Sequence, residues 1–78
     1  MKLEILTPEK TLFNDEVLSV QVPGKSGNFE MLNNHMPIVS SLKKGVVKIT
    51  NMQQEERKIE INSGVIEMKQ NKIIILAE

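Results

Sequence analysis

His35 is the only histidine of the chain and there is no cysteine, so nucleophilic and metal chemistry have few residues to stand on. A transition metal at His35 would have to be completed by carboxylates alone. General-base work would need a nucleophile beside the ring, and neither Asn34 nor Met36 supplies one. The paired acids Asp15-Glu16 and Glu55-Glu56 point to opposite faces of a strand, so neither pair forms a carboxylate dyad; both read as solvated charges near turns. Gly24-Lys25-Ser26 has the ending of a phosphate-binding loop, but that motif needs a glycine five positions before Gly24, where Ser19 stands, and a helix after it. Strand-like residues follow instead, and the segment reads as a glycine-rich hairpin turn. No catalytic, cofactor or metal site is expected. On its own, His35 reads as a ring that packs or hydrogen-bonds beside a turn.

The elements that hold these residues are bounded by composition. With 78 residues and no cysteine, the chain forms one domain over 1–78 that rests on its apolar core alone, in keeping with a reducing, cytosolic setting. Ten basic and ten acidic residues cancel and are interspersed, so no stripe exists to neutralise many phosphates and nucleic acid is not an expected partner. Phe13 and Phe29 are the only aromatic residues, too few for base or sugar stacking. No apolar run approaches the roughly 20 residues that cross a bilayer, so direct membrane insertion is not expected.

Apolar residues alternate with polar ones in most segments, which predicts half-buried strands. The expected strands are Lys2–Leu6, Thr11–Phe13, Glu16–Val22, Asn28–Leu32, Pro37–Leu42, Gly45–Asn51, Arg57–Asn62, Gly64–Lys69 and Lys72–Ala77. In the third of these, Leu18, Val20 and Val22 share one face, with Ser19 and Gln21 toward water. Thr7-Pro8, Asn14-Asp15, Pro23-Gly24, Lys44-Gly45, Ser63-Gly64 and Gln70-Asn71 are the expected separators, and Met52–Lys58 reads as a long hairpin tip. Ile73-Ile74-Ile75-Leu76 runs without alternation, as in a central strand covered on both faces or one packed against a partner. The fold class is all-β, a small antiparallel sandwich or flattened barrel of about eight to ten short strands. Met31 reads as core and Met36 as a contact residue.

The run Pro23-Gly24-Lys25-Ser26-Gly27-Asn28-Phe29-Glu30-Met31-Leu32-Asn33-Asn34-His35-Met36-Pro37, preceded by Thr7-Pro8-Glu9-Lys10-Thr11-Leu12-Phe13 and followed by Leu42-Lys43-Lys44-Gly45 and Ser63-Gly64-Val65, resembles the amino-terminal β-sandwich domain of the epsilon subunit of the F-type rotary ATP synthase. The matching blocks keep the family's order from Lys2 to the closing strand and its acidic exit at Glu78. The resemblance implies a non-catalytic central-stalk subunit of a proton-translocating ATP synthase, coupling the gamma subunit to the membrane c ring. Thr7, His35, Met36, Pro37 and Leu42 would then lie against gamma, and Gly27, Asn28, Phe29, Glu30, Met31 and Leu32 would face the c ring. It also implies a subunit that is monomeric when isolated and peripheral in the complex, at the cytoplasmic face of the inner membrane of a bacterium.

Three departures from the family pattern stand out. Asn28 replaces an acid that many members carry beside the glycine turn, and Glu30 occupies a position often held by glycine; the charge is displaced by two residues, which keeps it on the same strand face. Asn33-Asn34 stands where members have Pro-Gly before the histidine. The helical hairpin that follows the sandwich in typical members has no counterpart in these 78 residues, so the expectation is a coupling subunit without that regulatory arm. Residue chemistry alone, without the resemblance, fits any small β-sandwich that binds another protein.

Overall fold

The period-two alternation produces eight strands and no helix in the computed structural model, which describes all residues from Met1 to Glu78. They are β1 (Lys2–Leu6), β2 (Thr11–Gly24), β3 (Gly27–Leu32), β4 (Ile38–Leu42), β5 (Gly45–Asn51), β6 (Glu56–Ile61), β7 (Gly64–Lys69) and β8 (Lys72–Ala77). The pairing order is β1-β8-β7-β4-β2-β5-β6, with β3 on β2 and a further β1–β2 pairing. One layer is therefore β4-β7-β8-β1 and the other β3-β2-β5-β6. β2 belongs to both, pairing with β1 through Thr11–Glu16 and with β3 and β5 further on. A single Gly24–Leu42 pairing closes the other side. Every pairing is antiparallel except β1–β8, which is parallel.

The 14-residue β2 replaces two expected strands. Asn14 and Asp15 are not a separator: they pair with Glu4 and Leu3 of β1 inside a continuous strand, because tertiary pairing overrides a local turn preference. A register shift between Val17 and Ser19 against β5 breaks the alternation, as a β-bulge does when it inserts one extra residue. Val17, Ser19 and Val20 are thus buried while Leu18 is exposed, reversing the expected placement of Leu18 and Ser19. The β2–β3 turn lies at Lys25-Ser26, between paired Gly24 and Gly27, rather than at Pro23-Gly24. The β5–β6 tip is shorter than expected, since β6 begins at Glu56; Asn51 Oδ1 accepts the amide N–H groups of Gln53 and Glu55 there.

Sixteen buried apolar side chains form one core between the layers, among them Leu3, Ile5, Val20, Val22, Met31, Leu42, Ile49, Ile66, Ile73 and Ile75. Val20 lies opposite both Met31 and Ile49 in register, and Ile5 opposite both Phe13 and Ile75, so inward rows from neighbouring strands meet. Arg57 caps one margin with its guanidinium 5.5 Å from the Phe13 ring centroid, a cation–π distance. At Gly64 an added Cβ would sit 2.7 Å from the Leu76 carbonyl oxygen, so the start of β7 can approach β8 only as glycine.

Candidate functional site

Asn33–Pro37 connects β3 to β4 as an exposed loop. Asn34 has φ 63°, a left-handed conformation that asparagine tolerates better than most residues. The loop is pinned from outside. Asn71, in the β7–β8 turn, accepts the Asn34 N–H at 2.8 Å on Oδ1 and donates from Nδ2 to Asn33 Oδ1 at 2.7 Å. Gln70 and Asn71 have φ 52° and 60° between paired Lys69 and Lys72, the two-residue hairpin in which both central residues are left-handed. His35 N–H donates to the Leu32 carbonyl at 3.1 Å, and its ring Nδ1–H donates to the Met36 carbonyl at 2.8 Å. Its ring is therefore a turn fastener, in keeping with the hydrogen-bonding role expected of it.

These bonds leave Met36 77% exposed. It is followed by exposed Pro37 and by Val39, itself 69% exposed, so an apolar strip runs from the loop onto the outer face of β4. Val39 was not among the expected contacts. Its signal in the sequence is the adjacent pair Ile38-Val39: two apolar neighbours in one strand cannot share the core face.

The five residues expected against one partner do not form one patch. Thr7 and Leu42 border a cleft of about 570 Å3 at the end of the β4-β7-β8-β1 layer, together with Leu6, Val65 and Leu76. His35, Met36 and Pro37 lie at the opposite end of β4, beside the β7–β8 turn. At ~3.3 Å per strand residue, β4 separates the two groups by about 13 Å or more. Leu42 is 1% exposed and part of the core, so it leaves the contact set; its backbone pairs with Gly24 and with Gly64. Thr7 is occupied locally, its hydroxyl donating to the Lys10 carbonyl and accepting the N–H groups of Glu9 and Lys10.

Gly27–Leu32 forms an outer strand paired only with β2. Gly27, Asn28, Glu30 and Leu32 are exposed, Phe29 is half-buried and Met31 is wholly buried. Met31 therefore also leaves the expected contact set, and alternation fixes which residues of β3 can meet a partner. Asn28 and Glu30 pair with Pro23 and Gln21, two residues apart on one face.

A second apolar feature lies on the outer face of the β4-β7-β8-β1 layer. Leu6 and Val65 both lie opposite Leu76 in register, and Leu76 is 55% exposed. β8 is central in its layer yet covered on one face only, so the unalternated Ile73–Leu76 run is not explained by cover on both faces within this chain. No group of three or more histidine, cysteine or acidic residues could hold a metal ion, and no helix is long and apolar enough to cross a membrane.

Comparison with known proteins agrees with the architecture and with the order of the sequence blocks. The family described as ATP synthase, Delta/Epsilon chain, beta-sandwich domain matches residues 1–78. The ATP synthase epsilon chain of Sulfurimonas denitrificans is 40% identical over 78 residues, covering 100% of this chain and 60% of that relative. The epsilon chain of Chlorobium limicola is 39% identical over 77 residues, covering 99% of this chain and 88% of the relative. The chain thus spans about 60% of the length of the Sulfurimonas protein. Among solved structures, the Euglena gracilis mitochondrial ATP synthase (OSCP/F1/c-ring in rotational state 1) contains a chain that superposes with a TM-score of 0.90 at 16% identity, over 96% of this chain and 48% of that one. A chain of the Tetrahymena thermophila mitochondrial ATP synthase central stalk/c-ring does so with a TM-score of 0.82 at 17% identity, over 99% of this chain and 62% of that one. At such identities the two structures speak for the fold, while the family match along the whole length carries the assignment: this chain belongs to the ATP synthase delta/epsilon chain beta-sandwich domain family.

Proposed function

We propose that the chain is the sandwich domain of a rotary ATP synthase epsilon subunit, a non-catalytic part of the central stalk that joins the gamma subunit to the c ring. The observation that carries this reading is the exposed Met36-Pro37-Val39 strip, held on a loop pinned by Asn71, in a chain whose whole length matches the family. A preformed apolar strip binds without a large ordering cost. Met36, Pro37 and Val39, with His35 fastening the turn, form the surface for gamma; Thr7 sits apart from it, at the far cleft. The exposed residues of β3, namely Gly27, Asn28, Glu30 and Leu32, face the c ring. The role is mechanical, since a close-packed core of low compressibility transmits strain. The domain works at the cytoplasmic face of a bacterial membrane as a peripheral component of the synthase, and it is a monomer when isolated.

Isothermal titration of the protein into the gamma subunit encoded by the same organism tests this reading. A one-to-one complex of submicromolar affinity is expected, with Met36→Asp weakening it at unchanged melting temperature. Absence of binding by a folded chain overturns the assignment, and unchanged affinity of a folded Met36→Asp protein removes the strip from the gamma surface.

A further inference from the structure

The charge balance of the whole chain conceals a local excess. Of ten basic residues, four lysines, Lys43, Lys44, Lys48 and Lys58, border one surface cavity of about 380 Å3 that no acidic residue lines. Lys48 and Lys58 are directly opposite each other across β5 and β6, a like-charge pairing that is destabilising on a sheet. Lys48 is relieved in part by Glu56 at 3.3 Å, while Lys43, Lys44 and Lys58 have no ion pair. Two more acids stand near. Glu30 lies opposite Gln21, and Glu60 lies opposite Val46 and borders an adjoining cavity with Lys44; neither pairs with these lysines.

The lysines are carried on a fixed frame. Lys43 N–H donates to the Pro23 carbonyl at 2.8 Å, and the Gly45 backbone is so close to Pro23 that an added Cβ would meet the proline Cβ at 2.8 Å. Asn28 and Gln21 at the cavity margin add amide N–H donors to the ammonium groups. Neither aromatic residue lines the cavity, so nothing is there to stack a base.

We propose that this four-lysine cavity binds a phosphate-bearing anion. Four lysines bordering one cavity that no acid lines suit a group whose oxygens accept charge-assisted hydrogen bonds in several directions, the manner in which lysine recognises phosphate. Bound there, the anion separates the facing Lys48 and Lys58 charges and neutralises the unpaired ones. The inference does not depend on the stalk reading, because it uses only the charge and geometry of this edge.

The test has two probes and two double variants. Inorganic phosphate is titrated into the labelled protein while amide resonances are followed, and co-sedimentation is measured with phosphatidylcholine vesicles with and without phosphatidylglycerol. Each lysine near an anionic surface is worth roughly fivefold in partitioning, so Lys44→Gln with Lys58→Gln should lose roughly 25-fold. Lys10→Gln with Lys69→Gln, an equal charge change at exposed positions that line no part of the cavity, should lose far less. Phosphate-induced shifts at Lys43–Gly45 together with phosphatidylglycerol-dependent sedimentation support the site with a lipid headgroup as the source. Shifts without sedimentation support it with a free phosphate compound. Neither signal, or equal losses in the two double variants, overturns the proposal.

Discussion

Met36 precedes β4 and Leu42 ends it, and the two meet opposite fates although both are apolar residues within the same signature region. Leu42 is 1% exposed and Met36 77%, so only one of them can act on a partner. Leu42→Ala should cost about 2–5 kcal/mol, the range for a buried leucine. For a domain of this size that lowers the melting temperature by roughly 10 °C or more, readable in a thermal scan. Met36→Asp should stay within about 0.5 kcal/mol of the parent, as surface substitutions do. Asn71 offers a sharper separation, because it serves both a turn and a neighbouring loop. Asn71→Gly keeps a residue at ease with φ 60° but removes the bonds to Asn33 and Asn34. Amide exchange at Asn34 and His35 should then accelerate while β7 and β8 remain protected; unchanged protection at Asn34 would show that the loop does not depend on these bonds. The sequence order of the blocks made the loop recognisable, but the Asn71 clamp links residues 37 and 38 positions apart, a distance over which no local pattern operates.

At the scale of single elements, β8 and β2 show what period-two reading can and cannot deliver. Along β8 the apolar run leaves the inward phase open, and pairing decides it: Ile73 and Ile75 are wholly buried while Leu76 is exposed. Ile75→Ala should therefore cost about 2–5 kcal/mol, whereas Leu76→Lys should change stability by less than about 0.5 kcal/mol. Chemical denaturation of the two variants checks this, and comparable losses would mean that the outer face is more tightly packed than its exposure indicates. Most strand boundaries were legible, because glycine and asparagine mark the chain reversals at Lys44-Gly45, Ser63-Gly64 and Gln70-Asn71. Asn14-Asp15 misleads for a definite reason. Its backbone is claimed by β1, a partner that local preference cannot register, and the bulge between Val17 and Ser19 then shifts Leu18 outward. The expected contact residues were half legible: alternation exposes Asn28 and Glu30 once β3 is fixed and Met31 already reads as core, yet nothing short of the fold separates Thr7 from His35 or sends Leu42 inward.

For the whole molecule, the consequence lies in how β2 is shared. Because one strand pairs with β1 in the first layer and with β3 and β5 in the second, neither layer can open its inner face without disturbing the other. The core is likewise one cluster rather than two. Small domains with a single core usually unfold in one step, and this connectivity gives that behaviour a structural cause. Urea unfolding followed separately by far-ultraviolet circular dichroism and by nuclear resonances of Ile75 in β8 and Ile49 in β5 should yield coincident midpoints. Native-state exchange should place the slowest amides around Val20, where β2 runs between buried Met31 and Ile49, and faster ones in the Met52–Glu55 tip, where every residue is exposed. A midpoint for Ile49 well below that for Ile75 would mean that the β3-β2-β5-β6 layer melts by itself. The shared strand would then be a hinge between two units rather than the bond that makes them one body.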